Sequence, residues 1–232
     1  MCIRDSDTAM IQVIFDHITG YGKVTKEDFI FSDPKGIALD TTYLTYLSEG
    51  WVEWQDYWYN LRSVRLRVED YEATKTVKKL SKQIKYSLQF VSEEVLTLLE
   101  PIYKKYTDKH NFKRDINLED FKGFECLLYY YEEKLIGANI FKLYRDTTGR
   151  TLVSYQFLWD YENPKLSLGN VSQLFECRIA QFFRCDHVYL LGGYELASAY
   201  KADFKGFEWW TGKEWSKDKT LYLNLCKRDN QL

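Results

Sequence analysis

The sequence predicts an α+β protein, a mixed sheet flanked by helices with a small N-terminal layer. Period-two alternation recurs over many short segments, and two longer segments carry apolar residues at helical spacing. At 232 residues and 45% hydrophobic the chain can bury a sizeable core. Aromatic residues reach 17%, with 19 Tyr and 7 Trp, which supplies large amphipathic side chains to a core or a cleft. A formal net charge of -2 says nothing of polyanions, so any such claim rests on local clustering of charge.

The first six residues, MCIRDS, lack the apolar stretch of a signal peptide. They read as a translated sequencing adapter of the kind met at the ends of metagenomic reading frames, and are set aside. Residues 7–75 are expected to form the small N-terminal portion, with turns at TGYGK and SDPKG and the aromatic run GWVEWQDYWYN. Residues 76–232 are expected to form the main domain.

In SVRLRVEDY, Val64, Leu66 and Val68 alternate with Arg65 and Arg67, the pattern of a half-buried strand. Ser92 is a good helix N-cap before Val95, Leu98, Leu99, Ile102, Tyr103 and Tyr106, with Pro101 expected to kink the helix. ECLLYYY and LIGANIFKLY, joined across EEK, predict a hairpin, and TLVSYQFLWDY a third strand in a meander. Val171, Leu174, Phe175, Ile179, Phe182 and Phe183 form the stripe of an amphipathic helix with Ser167 or Asn170 as N-cap. HVYLL predicts a strand, GGY a break, and the alternation of TLYLNLC a last strand.

This is the element order of the GCN5-related N-acyltransferase (GNAT)-like fold. In that fold the strand before the central helix splays from the next strand, and the helix N-terminus offers free amides and a positive dipole end to an anion. SLGN, residues 167–170, sits at that place, and Gly169 lets a ligand approach the backbone closely.

Five blocks in order resemble the arginyl-tRNA and leucyl-tRNA protein transferases: LTYLSEGWVEW, LRSVRLRVEDYEATKTVKKLSKQ, EPIYKKYTDKH, SYQFLWDYENPKLSLGNVSQLFECRIAQ and VYLLGGYELASAYKADFKGFEWW. The resemblance implies transfer of arginine or leucine from charged tRNA to the N-terminal amine of an acceptor protein, with no cofactor beyond the aminoacyl-tRNA. Two departures stand out. The family's cysteine pairs are missing, so no iron–sulfur or other metal site is expected. The stretch from Gly193 to Tyr200 is shorter than the family's, which loosens the match at Tyr194, Tyr200 and Lys201.

Such a reaction needs cations for acceptor-stem phosphates. From Arg62 to Lys85 the chain holds eight cations (Arg62, Arg65, Arg67, Lys75, Lys78, Lys79, Lys82, Lys85) against three acids (Glu69, Asp70, Glu72), a local excess of five. Arg65 and Arg67 equally suit carboxylates, including an acidic first residue of the acceptor. An α-amino group has a pKa of about 7.7 to 8, so alignment with the ester asks little of a general base. If a carboxylate assists, Asp160 comes first and Glu176 second, although Asp160 also suits a turn-forming cap before Pro164. Tyr155 and Tyr194 suit contact with the 3′ adenosine, Lys201 a phosphate, and Ser167, Leu168, Gly169 and Asn170 the ester. Scattered cysteines suit reduced thiols and a cytoplasmic setting, and Cys185 with His187 makes a poor metal pair. The alternatives are an acyl-coenzyme A dependent N-acetyltransferase and a catalytically silent tRNA-binding module.

Overall fold

A computed structural model of the chain describes residues 42–54, 57–110, 117–145 and 149–229. The adapter-like start, TGYGK, SDPKG and His17 lie outside them. Contacts divide the chain into two compact units, Leu66–Leu190 and the chain on either side of it.

Leu66–Leu190 is built on a sheet in the order β8-β7-β6-β5-β4: β4 is Lys85–Phe90, β5 Glu125–Tyr131, β6 Lys134–Arg145, β7 Arg150–Trp159 and β8 His187–Gly192, which runs into the other unit. Strands β4 to β7 are antiparallel to their neighbours, and β8 joins β7 in parallel. The meander expected from the sequence is therefore present, with β4 added at its edge. Helix α3 (Glu93–His110) packs against β6 and β7. Helix α4 (Leu168–Phe182) packs against β7, and the short α2 (Lys75–Leu80) packs on α4.

Local chemistry accounts for these elements. The Ser92 hydroxyl accepts from the Val95 amide at 3.4 Å, which caps α3 as expected. Helix α3 runs on through Pro101, whose missing N–H leaves the Thr97 carbonyl without its usual donor. The stripe of α4 is buried at Val171, Leu174, Phe175 and Ile179, but it ends there: Phe182, expected in it, is 79% exposed in the last turn, and Phe183 is the half-buried C-cap. Behind its first turn, Gly137 is obligatory: a β-carbon there would lie 2.6 Å from the Leu158 carbonyl oxygen and 2.7 Å from Leu168 Cδ2.

The other unit holds α1 (Thr42–Ser48), the hairpin of β1 (Trp51–Trp54) and β2 (Tyr57–Asn60), and the antiparallel pair β9 (Phe207–Trp210) and β10 (Trp215–Ser216). Strand β3 (Ser63–Arg67) crosses from this unit into the next, and its burial alternates as expected, Val64 and Leu66 inside and Arg65 and Arg67 half-exposed. TLYLNLC corrects the sequence reading, since it lies in a helix, α5 (Lys219–Asp229), and not in a strand. Asp218 caps it, its carboxylate accepting from the Leu221 amide at 2.9 Å. Tyr222, Leu225 and Cys226, spaced i, i+3, i+4, take the buried face.

The β5–β6 turn is the costly joint. Glu132 and Glu133 both have positive φ, 48° and 65°, the signature of a type I′ hairpin turn that favours Asn-Gly. The double substitution Glu132→Asn, Glu133→Gly is expected to stabilise the protein by about 1 kcal/mol. In calorimetry this raises Tm by roughly 2–4 °C for a chain of this size.

Candidate functional site

Strand β7 pairs with β6 from Arg150 to Trp159, but with β8 only at Thr151, Leu152 and Val153. Past Val153, Tyr155, Gln156, Leu158 and Trp159 are buried, while Ser154 and Phe157 are half-buried. The chain leaves β7 through a pinned corner. The Asp160 amide donates to the Ile136 carbonyl at 3.0 Å, and the Asp160 carboxylate accepts from the Glu162 amide at 3.1 Å and lies 3.7 Å from Lys134 Nζ. Asp160, 6% exposed, thus holds the turn in the manner of an Asx cap. Glu162 pairs with Lys105 and Lys134, hydrogen bonds that pull its carboxyl down to about 2. Tyr161 stacks on Trp159 at 4.6 Å.

A 3-10 turn, Pro164–Leu166, then leads into α4. Ser167 takes the N-cap position in the left-handed region (φ 49°, ψ 45°), so its hydroxyl does not cap the helix and instead accepts from Asn170 Nδ2 at 3.0 Å. The Ser167 carbonyl takes the Asn170 and Val171 amides. Among the described residues nothing accepts from the Leu168 and Gly169 amides. Gly169 is exposed, and a β-carbon there would meet nothing closer than Phe157 Cε1 at 3.8 Å. The helix N-terminus thus presents an exposed glycine, two unengaged donors and the positive dipole end.

Beneath this turn lies a buried polar chain. The Tyr129 and Ser172 hydroxyls are 2.8 Å apart, and Ser172 donates to Glu176 Oε1 at 3.0 Å. Glu176 is 3% exposed, and its Oε2 has no hydrogen-bond partner among the described residues. Burial pushes its carboxyl up to about 7, against the opposing pull of the Ser172 and Ser154 hydroxyls. Tyr155 is engaged elsewhere: its hydroxyl meets that of Tyr144 at 2.7 Å and its ring packs on Phe124.

The basic helix α2 starts at Thr74, whose hydroxyl accepts from the Val77 amide at 3.2 Å. Lys75, Lys78 and Lys79 are all exposed on it, with Lys78 3.9 Å from Glu72. Arg67 pairs with Glu69 and with Asp70.

The remaining expected residues belong to the other unit. Arg65 donates to Glu208 at 2.8 Å and lies over the Trp215 ring at 3.9 Å. The Tyr194 hydroxyl accepts from the Arg62 amide at 2.8 Å. Lys201, 8% exposed, donates to the Gly192 carbonyl at 2.7 Å, and burial lowers its ammonium to about 8. Arg62 is fully buried and pairs with Asp229 at 2.7 Å. Sequence reasoning passed over Gly137, Tyr129, Ser172 and Glu208. A glycine inside a strand and a Ser-x-x-x-Glu pair within an apolar helix stripe were the available signals for the first and third.

No protein-family model matches the chain, and no curated protein matches it. Solved structures similar to it include the C-terminal DUF2156 domain of an Agrobacterium fabrum protein described as a lysylphosphatidylglycerol synthetase, with 7% identity, TM-score 0.47 and coverage of 56% of this chain and 46% of that one. L-PGS from Bacillus licheniformis aligns at 10% identity and TM-score 0.46, covering 63% and 48%. A GCN5-related N-acetyltransferase from Kribbella flavida aligns at 9% identity and TM-score 0.40, covering 57% and 48%. The chain spans about half the length of each. Its own geometry, an antiparallel meander followed by a helix and a strand that joins the meander in parallel, is the GNAT-like α+β arrangement expected from the sequence.

Glu176 gives this site a pH signature. Its carboxyl is neutral in both folded and unfolded chains below about 4.5, and above about 7 the folded chain holds a buried charge. Stability is therefore lost as pH rises through this window, by on the order of 3 kcal/mol. Tyr71, Tyr129 and Cys177 nearby are all raised by burial and stay neutral throughout. Tm measured from pH 5 to 8 should fall by several degrees more in the wild type than in Glu176→Gln, and parallel profiles would refute the assignment.

Proposed function

We propose that the chain is an aminoacyl-tRNA protein transferase, which passes arginine or leucine from a charged tRNA to the N-terminal amine of an acceptor protein. The observation that supports this most directly is the start of α4, where Gly169 is exposed, the Leu168 and Gly169 amides are unengaged among the described residues, and α2 packs on the same helix. In this reading the 3′ adenosine ester lies beside Gly169 and the exposed Lys75, Lys78 and Lys79 hold phosphates of the acceptor stem.

The chemistry is an ester aminolysis. The neutral amine attacks the ester carbonyl, a C–N bond forms, the C–O bond to the ribose breaks, and the amine's proton ends on the released ribose oxygen. The tetrahedral intermediate places negative charge on the former carbonyl oxygen, which two amides at a helix N-terminus suit. Alignment supplies most of the acceleration, because the ester is already activated and the amine titrates near neutral pH. Asp160 serves this reading by pinning the corner before α4. Glu176, out of reach of solvent, serves it by tying α4 through Ser172 to Tyr129 on the sheet.

Incubation of the purified chain with tRNAs charged singly with labelled amino acids and peptides differing at the first residue is expected to label peptides from one or two of the tRNAs. Binding of tRNA without transfer would select a silent module. A rise in Tm with acetyl-coenzyme A, without labelling, would select an N-acetyltransferase. Changing Lys75, Lys78 or Lys79 to Ala should lower the log–log salt slope of tRNA binding by roughly one apiece, measured by fluorescence anisotropy. An unchanged slope removes α2 from the interface.

A further inference from the structure

The edge of the sheet at β4 takes no part in the start of α4, yet its surface is unusual. Among the described residues the strand pairs with β5 alone. Tyr86, Leu88 and Phe90 alternate along one face, 42%, 44% and 66% exposed, and Tyr86 meets Phe175 of α4 at 4.6 Å. A groove of about 370 Å³ runs beside them, lined by Leu88, Phe90, Leu143, Arg145, Arg150 and Phe183. Exposed edges are ordinarily guarded by a charge, a proline or a bulge; β4 has one such charge, Lys85 at its first residue, and the five residues Tyr86–Phe90 after it carry none of these.

The backbone shows which residues face outward. The Val91 amide donates to the Phe124 carbonyl at 2.8 Å, and the Val91 carbonyl accepts from the Gly123 amide at 3.0 Å. Val91 thus turns both groups toward β5, and by strand alternation so do Gln89 and Ser87. Tyr86, Leu88 and Phe90 turn theirs away from β5, toward whatever pairs with the edge.

We propose that β4 pairs antiparallel with β4 of a second copy about a two-fold axis at Leu88. An added strand must set outward groups against outward groups, and the register centred on Leu88 engages all three outward residues. It places Leu88 opposite Leu88 and Tyr86 opposite Phe90 on one face, with Ser87 opposite Gln89 on the other. The charges at the ends of the strand agree. Lys82 precedes it, Lys85 opens it, and Glu93 and Glu94 follow it, all exposed, with only solvent-screened partners in the chain itself for Lys85 (Glu133) and Glu93 (Lys122), so an antiparallel copy brings the basic end of one strand to the acidic end of the other. Side chains, backbone groups and flanking charges are each self-complementary under the same rotation, which is the property of an isologous interface.

The test is the solution mass of the full chain by sedimentation equilibrium. The wild type is expected at about twice the 27.8 kDa chain mass. Leu88→Lys and Leu88→Glu, at a half-exposed position, should each run at the single-chain mass with unchanged circular dichroism, and their equimolar mixture should regain the double mass. Oxidised Leu88→Cys should give a cross-linked dimer that the wild type does not, since opposed residues in a hydrogen-bonded pair lie about 5.5 Å apart at Cα, within disulfide reach. A wild type at single-chain mass overturns the proposal, as does a Leu88→Lys variant that keeps the double mass, or a mixture that fails to regain it.

Discussion

The candidate site rests on how β7 ends and α4 begins. Strand β7 pairs with β6 from Arg150 to Trp159, with a register shift at Tyr155, and with β8 at Thr151, Leu152 and Val153. Beyond its last residue the chain turns from strand to helix within Asp160–Ser167, and such a turn leaves backbone groups that side chains, water or a ligand must satisfy. The exposed Gly169 and the amides of Leu168 and Gly169 stand at that junction.

What keeps the helix start fixed is steric. Gly137 has no side chain, so Leu168 packs where a β-carbon would stand, and the first turn of α4 is held against β6 and the end of β7. The corner before it is held electrostatically, through Asp160, Glu162, Lys134 and Lys105. The surface pairs of Glu162 contribute little by themselves, whereas the buried Asp160 accepts an amide that would otherwise be left unpaired. Steric and polar constraints thus converge on one short segment, Asp160–Gly169, and leave its exposed side unfilled.

Much of this was legible in the sequence. The meander, the buried alternation of β3 and the stripe of α4 follow from periodicity, which reports burial on one face. The last element was misread because TLYLNLC satisfies both periods: its leucines alternate, while Tyr222, Leu225 and Cys226 follow helical spacing, and Asp218 at the N-cap decides the matter. Strand β4 was passed over although Tyr86, Leu88 and Phe90 alternate with Lys85, Ser87 and Gln89, because six residues between a basic helix and α3 give that period little room to declare itself. Glu176 stood out as a carboxylate in an apolar stripe, but its partners Ser172 and Tyr129 depend on a strand-to-helix contact that no local pattern encodes.

The charge cluster shows how structure changes the weight of a sequence count. Of the eight cations between Arg62 and Lys85, the three arginines are each matched by carboxylates: Arg62 by Asp229, Arg65 by Glu208, and Arg67 by Glu69 and Asp70. A buried arginine paired in this way cannot be withdrawn for a phosphate without leaving its carboxylate stranded, at a cost of several kcal/mol. The lysines differ, since Lys75, Lys78, Lys79, Lys82 and Lys85 are exposed and their carboxylate pairs, Lys78 with Glu72 and Lys85 with Glu133, are solvent-screened. Exchanging such a pair for a phosphate costs little and releases counterions. Of the eight cations, the lysines are therefore the ones left available, and Lys75, Lys78 and Lys79 on α2 are the group to which the proposed phosphate contact can fall.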